Sequence, residues 1–320
     1  MFFLCFLLLC HYHTTSIASN PFLDETQLTD SKKIQNLLFE QGFKKYFFKS
    51  EDHIKLCGLL LDQSKEKNIQ ATILYCAGFY PGTKEGMSSF YALLADQPYN
   101  FFMFDARGHQ ESDGSLFSYQ AIKNYGTYEY QDIIGALKFL NQYNKQHNIT
   151  QDIIIHGICS GAFHSIKACS CLKNTDFDTI KNVKGIIFDS GWLEVVDIVE
   201  PTICAEISKR FANGWFSWIV KPLCFIGLQT YRWLFKQYHT TIAGINSTIH
   251  DITCPIFFIH CTHDPYVPIQ PVQKKVIHDQ FPYFWWIEHD SHANFHVIEP
   301  SIYAEKIKTF LTKDIRPNII

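Results

Sequence analysis

An ionised cysteine is a strong nucleophile, and one of the 11 cysteines in this 320-residue chain stands apart by its neighbours. The stretch from Asp152 to Ala162 reads DIIIHGICSGA. A run rich in β-branched residues enters Gly157, and helix-forming residues follow from Ala162, so the pattern predicts a strand, a sharp turn and a helix. Gly157 and Gly161 stand two residues either side of Cys159, the positions where a side chain would collide with a turn that lifts its central residue above a sheet. Ser160 is the competing nucleophile, but its neighbours two positions away are Ile158 and Ala162. The glycine frame selects Cys159. A thiol needs a base to become the attacking thiolate, and the helix opening at Gly161 adds a positive dipole end that favours the anion.

The elements that must hold such a turn are legible on both sides of it. FKKYFFKSEDHIKLCGLLLD predicts two antiparallel strands around a turn at Ser50, Glu51 and Asp52, after a helix over residues 31–41. ATILYC, NFFMFD, Lys184 to Ser190, CPIFFIHC and PYFWWIEH read as further strands. Helical segments fall between Glu85 and Ala95, between Ser118 and Tyr143, after Gly161, from Pro271, and from Glu299 to Lys313. Strands and helices that alternate in this way imply right-handed crossovers and a doubly wound, mostly parallel sheet covered on both faces. Between Lys184–Ser190 and CPIFFIHC lies an aromatic-rich helical piece broken by Pro201, Gly214 and Pro222, read as a cap. Within it Lys221, Pro222, Arg232 and Lys236 interrupt the apolar stretch from Trp215 to Tyr238, which favours an amphipathic lid over a membrane helix.

Taken together, Gly-x-Cys-x-Gly after a buried strand, CTHDPYVP after CPIFFIHC and DSHANF after PYFWWIEH resemble the α/β-hydrolase family, over nearly everything from Phe43 to Leu311. They occur in that family's order of nucleophile, acid and histidine, and dienelactone hydrolases resemble the chain further in placing a catalytic cysteine in the same turn. The resemblance implies an α/β-hydrolase fold with an inserted helical cap. It implies Cys159 as nucleophile, His292 as general base and Asp264 as the acid that orients it. By position alone a turn Asp before Pro265 is an equally good account of Asp264. His289 and His296 flank His292, and His292 is the one that matches the small-residue, His, x, x, Phe pattern. The family's oxyanion donors map to the backbone N–H groups of Ser160 and Phe79. DARGHQESDG resembles the family's Asp-x-Arg-Gly-x-Gly-x-Ser segment, with His109 and Glu111 as departures, and is assigned to local charge pairing that shapes the loop. The implied activity is hydrolysis of a carboxylic ester or thioester through an acyl-enzyme. An acyltransferase, a peptidase and an inactive fold member that binds a ligand through the cap are the rivals.

Composition bounds the rest. A hydrophobic content of 47% supplies a large core, and a net charge of -3 gives no field that would gather nucleic acid or an anionic membrane. Residues 2–10 form an apolar run of signal-peptide length, with Ser16, Ile17 and Ala18 before a cut ahead of Ser19, although no Lys or Arg precedes it. The predicted order is therefore a signal peptide at 1–18, core at 19–192, cap at 193–250 and core at 251–320, with export to a periplasm or the exterior and a cytoplasmic location as the alternative. Cys76, Cys169, Cys254 and Cys261 sit in apolar runs and read as small core residues, with one or two disulfides open to an exported chain. No cofactor is expected. His260, His263, His289 and His292 lack metal-site spacing, so no metal is expected either. The expected substrate is a small acyl compound with an apolar part.

Overall fold

The computed structural model describes residues 25–79, 82–115, 128–195, 197–198, 226 and 244–315. The expected signal peptide and most of the expected cap lie outside the described residues.

Eight strands form one sheet: β1 (Lys44–Lys49), β2 (Lys55–Leu61), β3 (Ala71–Cys76), β4 (Tyr99–Phe104), β5 (Ile153–Ile158), β6 (Val183–Asp189), β7 (Ile256–Cys261) and β8 (Tyr283–Ile287). Their spatial order is β1-β2-β4-β3-β5-β6-β7-β8. β2 runs antiparallel to both β1 and β4, and every later pairing is parallel. The antiparallel entry hairpin turns at Ser50–Asp52, where Ser50 Oγ bonds Asp52 and takes the Ile54 N–H.

The described helices are α1 (Glu25–Glu40), α2 (Ser88–Ala92) behind a 3-10 turn at Glu85–Met87, α3 (Tyr130–Gln146), α4 (Ser160–Thr175), α5 (Phe177–Ile180), α6 (Ile269–His278), α7 (Phe295–Ile298) and α8 (Pro300–Thr309), the last continuing as a π-helical turn over Phe310–Asp314. Several depart from the sequence-based bounds: α1 begins at Glu25 and not at residue 31, and α6 begins at Ile269, ahead of Pro271. The helix predicted between Ser118 and Tyr143 is described from Tyr130 and runs on to Gln146; that predicted at Glu85–Ala95 is split in two; and the last helix widens at Phe310, where its ring packs on Phe257 and Tyr283. Among the described residues no helix is long and apolar enough to cross a membrane.

β5 shows why the sheet is covered twice. All six of its residues are buried. Ile153 and Ile155 join a core with Leu137, Phe163 and Ile166 under α3 and α4, while Ile154 and Ile158 join another with Phe90, Tyr91 and Tyr303 under α2 and α8. Period-two alternation thus feeds two cores from one apolar run. It also places a crevice. β3 leads through α2 to β4 on one side, whereas β5 leads through α4 to β6 on the other, so the loops after these neighbouring strands part company. Ligands of open α/β sheets bind at such a switch point, beyond the carboxyl ends of the strands. Cys159 follows β5, and Gly78 and Phe79 follow β3.

Candidate active site

β5 ends at Ile158 and α4 begins at Ser160, so Cys159 alone makes the turn, with φ 55° and ψ -117°. A non-glycine residue in that conformation is strained by about 1–3 kcal/mol, which the surroundings must offset. They do so with backbone bonds: Cys159 N–H donates to the Asp189 carbonyl at 2.8 Å, and the Cys159 carbonyl takes the Ala162 N–H at 3.1 Å. The flanking glycines are required by contact. A Cβ on Gly161 would strike the Cys76 and Ala77 carbonyls, and one on Gly157 would strike the Ala162 backbone. Gly78 packs from the β3 side, where a Cβ would meet that of Cys159 at 3.0 Å. Ser160 is buried as the first residue of α4, so the residue lifted at the turn is Cys159, which is only half-buried.

Asp264 lies in the turn after β7. Its Oδ1 accepts the N–H groups of Tyr266 and Val267, each at 2.9 Å, and its Oδ2 lies 2.7 Å from His292 Nδ1. The turn reading and the acid reading are therefore both satisfied, by different oxygens of one buried carboxylate. With Nδ1 committed to Asp264, the remaining imidazole nitrogen faces Cys159. Burial opposes the charged form of His292, but the Cys159 charge, the Asp264 hydrogen bond, the Cys159 hydrogen bond and the Asp264 charge together raise it to about 11. The structure thus brings Cys159 and Asp264 to the same imidazole, that of His292.

The neighbouring histidines are otherwise engaged. His289 stands by Asp290 at 3.4 Å, His296 stacks on Phe90 at 3.6 Å and bonds Ser89 Oγ, and His263 faces Glu288 from an exposed position. His260 is turned to the Val267 carbonyl at 2.9 Å. Among the described residues no group of three or more His, Cys, Asp or Glu side chains is placed to hold a metal ion.

Ser160 N–H belongs to the first turn of α4, whose leading donors have no intrahelical acceptors. Phe79 follows Gly78 and so extends the loop that touches Cys159; its carbonyl faces His109 Nε2 at 3.1 Å. His109 Nδ1 faces the Arg107 carbonyl, also at 3.1 Å, and burial holds this imidazole toward its neutral form, despite the hydrogen bonds that favour the charge. A neutral ring carries one N–H, so it donates to one of the two carbonyls.

The DARGHQESDG segment pairs over longer distances than expected. Arg107 forks onto Asp132 at 2.7 and 2.9 Å and onto Asp52 at 2.8 and 2.9 Å, while Asp105 meets the fully buried Lys84 at 2.6 Å. The partners come from the entry hairpin, the β3 loop and α3. The expected departures were also misplaced. Counted position by position, the pattern's second glycine falls on Gln110, which takes φ 44° in its stead.

Sequence reasoning passed over Asp189 and Ser190. Asp189 is buried at the end of β6, its carboxylate accepting from Ser190 Oγ at 2.8 Å and Tyr303 Oη at 2.6 Å, and Ser190 Oγ takes the Ala293 N–H at 3.2 Å. The available signal was an Asp-Ser pair closing an apolar strand at the site end of a parallel sheet. Glu129 and His164 were also missed; the two meet at 3.5 Å, His164 buried and Glu129 half-buried, and loss of solvation pushes the Glu129 carboxyl up to about 7.

No protein-family model matches the chain, and no curated protein matches its sequence. Solved structures do. An esterase of Pyrococcus furiosus, Pf2001, superposes with a TM-score of 0.62 at 19% identity, over 94% of this chain and 98% of that one. A 2,6-dihydroxy-pseudo-oxynicotine hydrolase gives 0.59 at 15% identity over 91% and 76%. An acylaminoacyl peptidase of Pyrococcus horikoshii gives 0.54 at 17% identity, covering 87% of this chain but 42% of that one. Likenesses at these identities establish a shared architecture.

Proposed function

We propose that this chain, whose fold is that of the α/β-hydrolases, is a hydrolase of carboxylic esters or thioesters that works through Cys159, His292 and Asp264. The observation that carries the reading is a shared imidazole: the Asp264 carboxylate lies 2.7 Å from His292 Nδ1, and the same ring hydrogen-bonds the Cys159 side chain. The thiolate attacks the acyl carbonyl, and the oxyanion is received by the N–H groups of Ser160 and Phe79 at the head of α4 and in the β3 loop. The His292 imidazolium passes its proton to the departing alcohol or thiol as the carbonyl re-forms. Neutral His292 then takes a proton from water, which attacks the thioester; the acid leaves, and Cys159 is released as thiolate beside an imidazolium. Every proton taken by the ring is returned within the cycle, and no cofactor enters. Asp264 holds the tautomer and offsets the imidazolium charge without accepting the proton.

The segment 193–250 is proposed as a cap over the crevice that selects a substrate with an apolar part, and residues 1–18 as a leader for export. A peptidase on the same site is the second reading, favoured by the likeness to the acylaminoacyl peptidase; acylated amides set beside esters of the same acid distinguish the two.

Thiol labelling tests the nucleophile. Burial pushes Cys57, Cys76 and Cys254 up to about 12, and Cys169 well above the ordinary thiol value. A brief pulse of iodoacetamide at neutral pH, mapped by peptide mass, is expected to modify Cys159 ahead of all of these. Equal labelling of Cys159 and the buried thiols would mean that the pairing with His292 does not activate it.

A further inference from the structure

Cys159 and His292 lie on different loops, after β5 and β8, and one residue touches the supports of both. Asp189, at the end of β6, accepts the Cys159 N–H on its backbone carbonyl at 2.8 Å. Through its side chain it anchors the other loop: Ala293 N–H donates to Ser190 Oγ at 3.2 Å, and Ser190 Oγ–H donates to Asp189 Oδ1 at 2.8 Å. Ala293 is the residue after His292.

The direction of these bonds is fixed. Tyr303 Oη–H donates to the second carboxylate oxygen at 2.6 Å, and Tyr303 Oη lies 3.1 Å from His156 Nε2. Since the tyrosine proton goes to Asp189, its oxygen accepts from His156 Nε2–H, which leaves His156 Nδ1 as the atom without a hydrogen-bond partner. Two chains of donors, one from the His292 turn and one from His156, therefore end on a single carboxylate with no donor of its own. Burial pushes the Asp189 carboxyl up to about 6 against the pull of Tyr303, Ser190 and His292, so at neutral pH it is the anion that both hydroxyls require. Cys159, Ser190 and Ala293 all hold positive φ, at 55°, 54° and 50°. Three strained residues tied to Asp189, Cys159 through its backbone carbonyl and Ser190 and Ala293 through its carboxylate, are a device for fixing distances, since strain of this kind persists only where the surroundings over-determine it.

We propose that Asp189 and Ser190 are positioning residues that set the separation of Cys159 from His292. The proposal rests on the reading of those two as nucleophile and base. Neither Asp189 nor Ser190 touches the reacting atoms; Asp189 holds the peptide of one and, with Ser190, the peptide that follows the other.

Ser190→Ala and Tyr303→Phe supply the test, because each deletes one hydroxyl from the same carboxylate and only Ser190 stands between it and the His292 turn. Hydrolysis of p-nitrophenyl acetate and the rate of iodoacetamide labelling of each thiol at pH 7 are measured for wild type and both variants. In Ser190→Ala kcat is expected to fall about tenfold or more with KM within about twofold, Cys159 labelling to slow about tenfold, and the buried thiols to label as before. Tyr303→Phe is expected to leave all these rates within about twofold. Mere loosening of the fold moves labelling the other way, exposing Cys57, Cys169 and Cys261 and speeding all thiols together. Such a general speeding, an unchanged Ser190→Ala, or equal effects of the two variants overturns the proposal. If Ser190→Ala does not fold, Ser190→Gly, which suits the positive φ, carries the same expectation. Wild-type protein in which Cys159 is not labelled first overturns the nucleophile reading itself, and the positioning role with it.

Discussion

His292 Nδ1 lies 2.7 Å from Asp264 Oδ2, while the other oxygen of that carboxylate takes the N–H groups of Tyr266 and Val267. The carboxylate is thus fixed by its own turn before it orients the ring. Such an arrangement specifies which imidazole nitrogen is free to meet Cys159.

Separate roles for ring and carboxylate make the variants unequal. On one p-nitrophenyl ester, His292→Ala is expected to lower kcat/KM by about 10³–10⁴, Asp264→Asn by a smaller but still large factor, and the double variant little more than His292→Ala, because groups acting as a unit are non-additive. His289→Ala, which alters a ring beside Asp290, is expected to keep at least half of the wild-type value. An inactive His289→Ala beside an active His292→Ala would reassign the base.

Glu129 gives a pH dependence of stability. Burial, with Asp132 adding repulsion, raises its folded carboxyl from the ordinary 4.5 to about 7. The protonated form is favoured in the fold, so this group imposes no penalty below pH 4.5, and the penalty grows as pH rises to about 7 and is complete above it. Glu129→Gln is therefore expected to be more stable than wild type by about 1–3 kcal/mol at pH 8, with the difference vanishing near pH 4.5. Urea unfolding at the two pH values measures it; a difference that is larger at the acid end contradicts the assignment.

Beneath the β3 loop, Lys84 is fully buried against Asp105 at 2.6 Å, with Glu85 and Glu111 each at 3.2 Å. Deleting its charge leaves Asp105 buried and unpaired, so Lys84→Met is expected to cost about 3–5 kcal/mol in urea unfolding. The double variant Lys84→Met, Asp105→Leu removes both buried charges and is expected to recover part of that loss. A neutral Lys84→Met would mean that water reaches the carboxylate.

The contrast between what could and could not be read from the chain follows the range of the interactions. Gly157, Cys159 and Gly161 are legible because the elbow is built within five residues, although the carbonyls that exclude a Cβ at Gly161 are those of Cys76 and Ala77 at the end of β3. β5 is legible because a short isoleucine-rich run, all six of its residues buried, has one cause, a sheet covered on both faces. Asp264 and His292 come within reach through their order along the chain. The Ser190 bond to Ala293 spans 103 residues and the Tyr303 bond to Asp189 spans 114, and no periodicity records either. Lys84 likewise reads as a surface lysine in a polar loop until Asp105 closes over it, since nothing in a single sequence says that β3 and β4 are neighbours at that end.

The proposal turns on one sulfur. Cys159→Ala removes it without filling any space, at a turn held to its neighbours by backbone hydrogen bonds, so the fold is expected to persist with thermal unfolding within a few degrees of wild type. The decisive measurement is kcat/KM of this variant on p-nitrophenyl acetate: a fall of about 10³ or more is expected, down to the residual rate that the oxyanion donors sustain alone. Turnover within about tenfold of wild type would contradict the account and remove Cys159 as nucleophile.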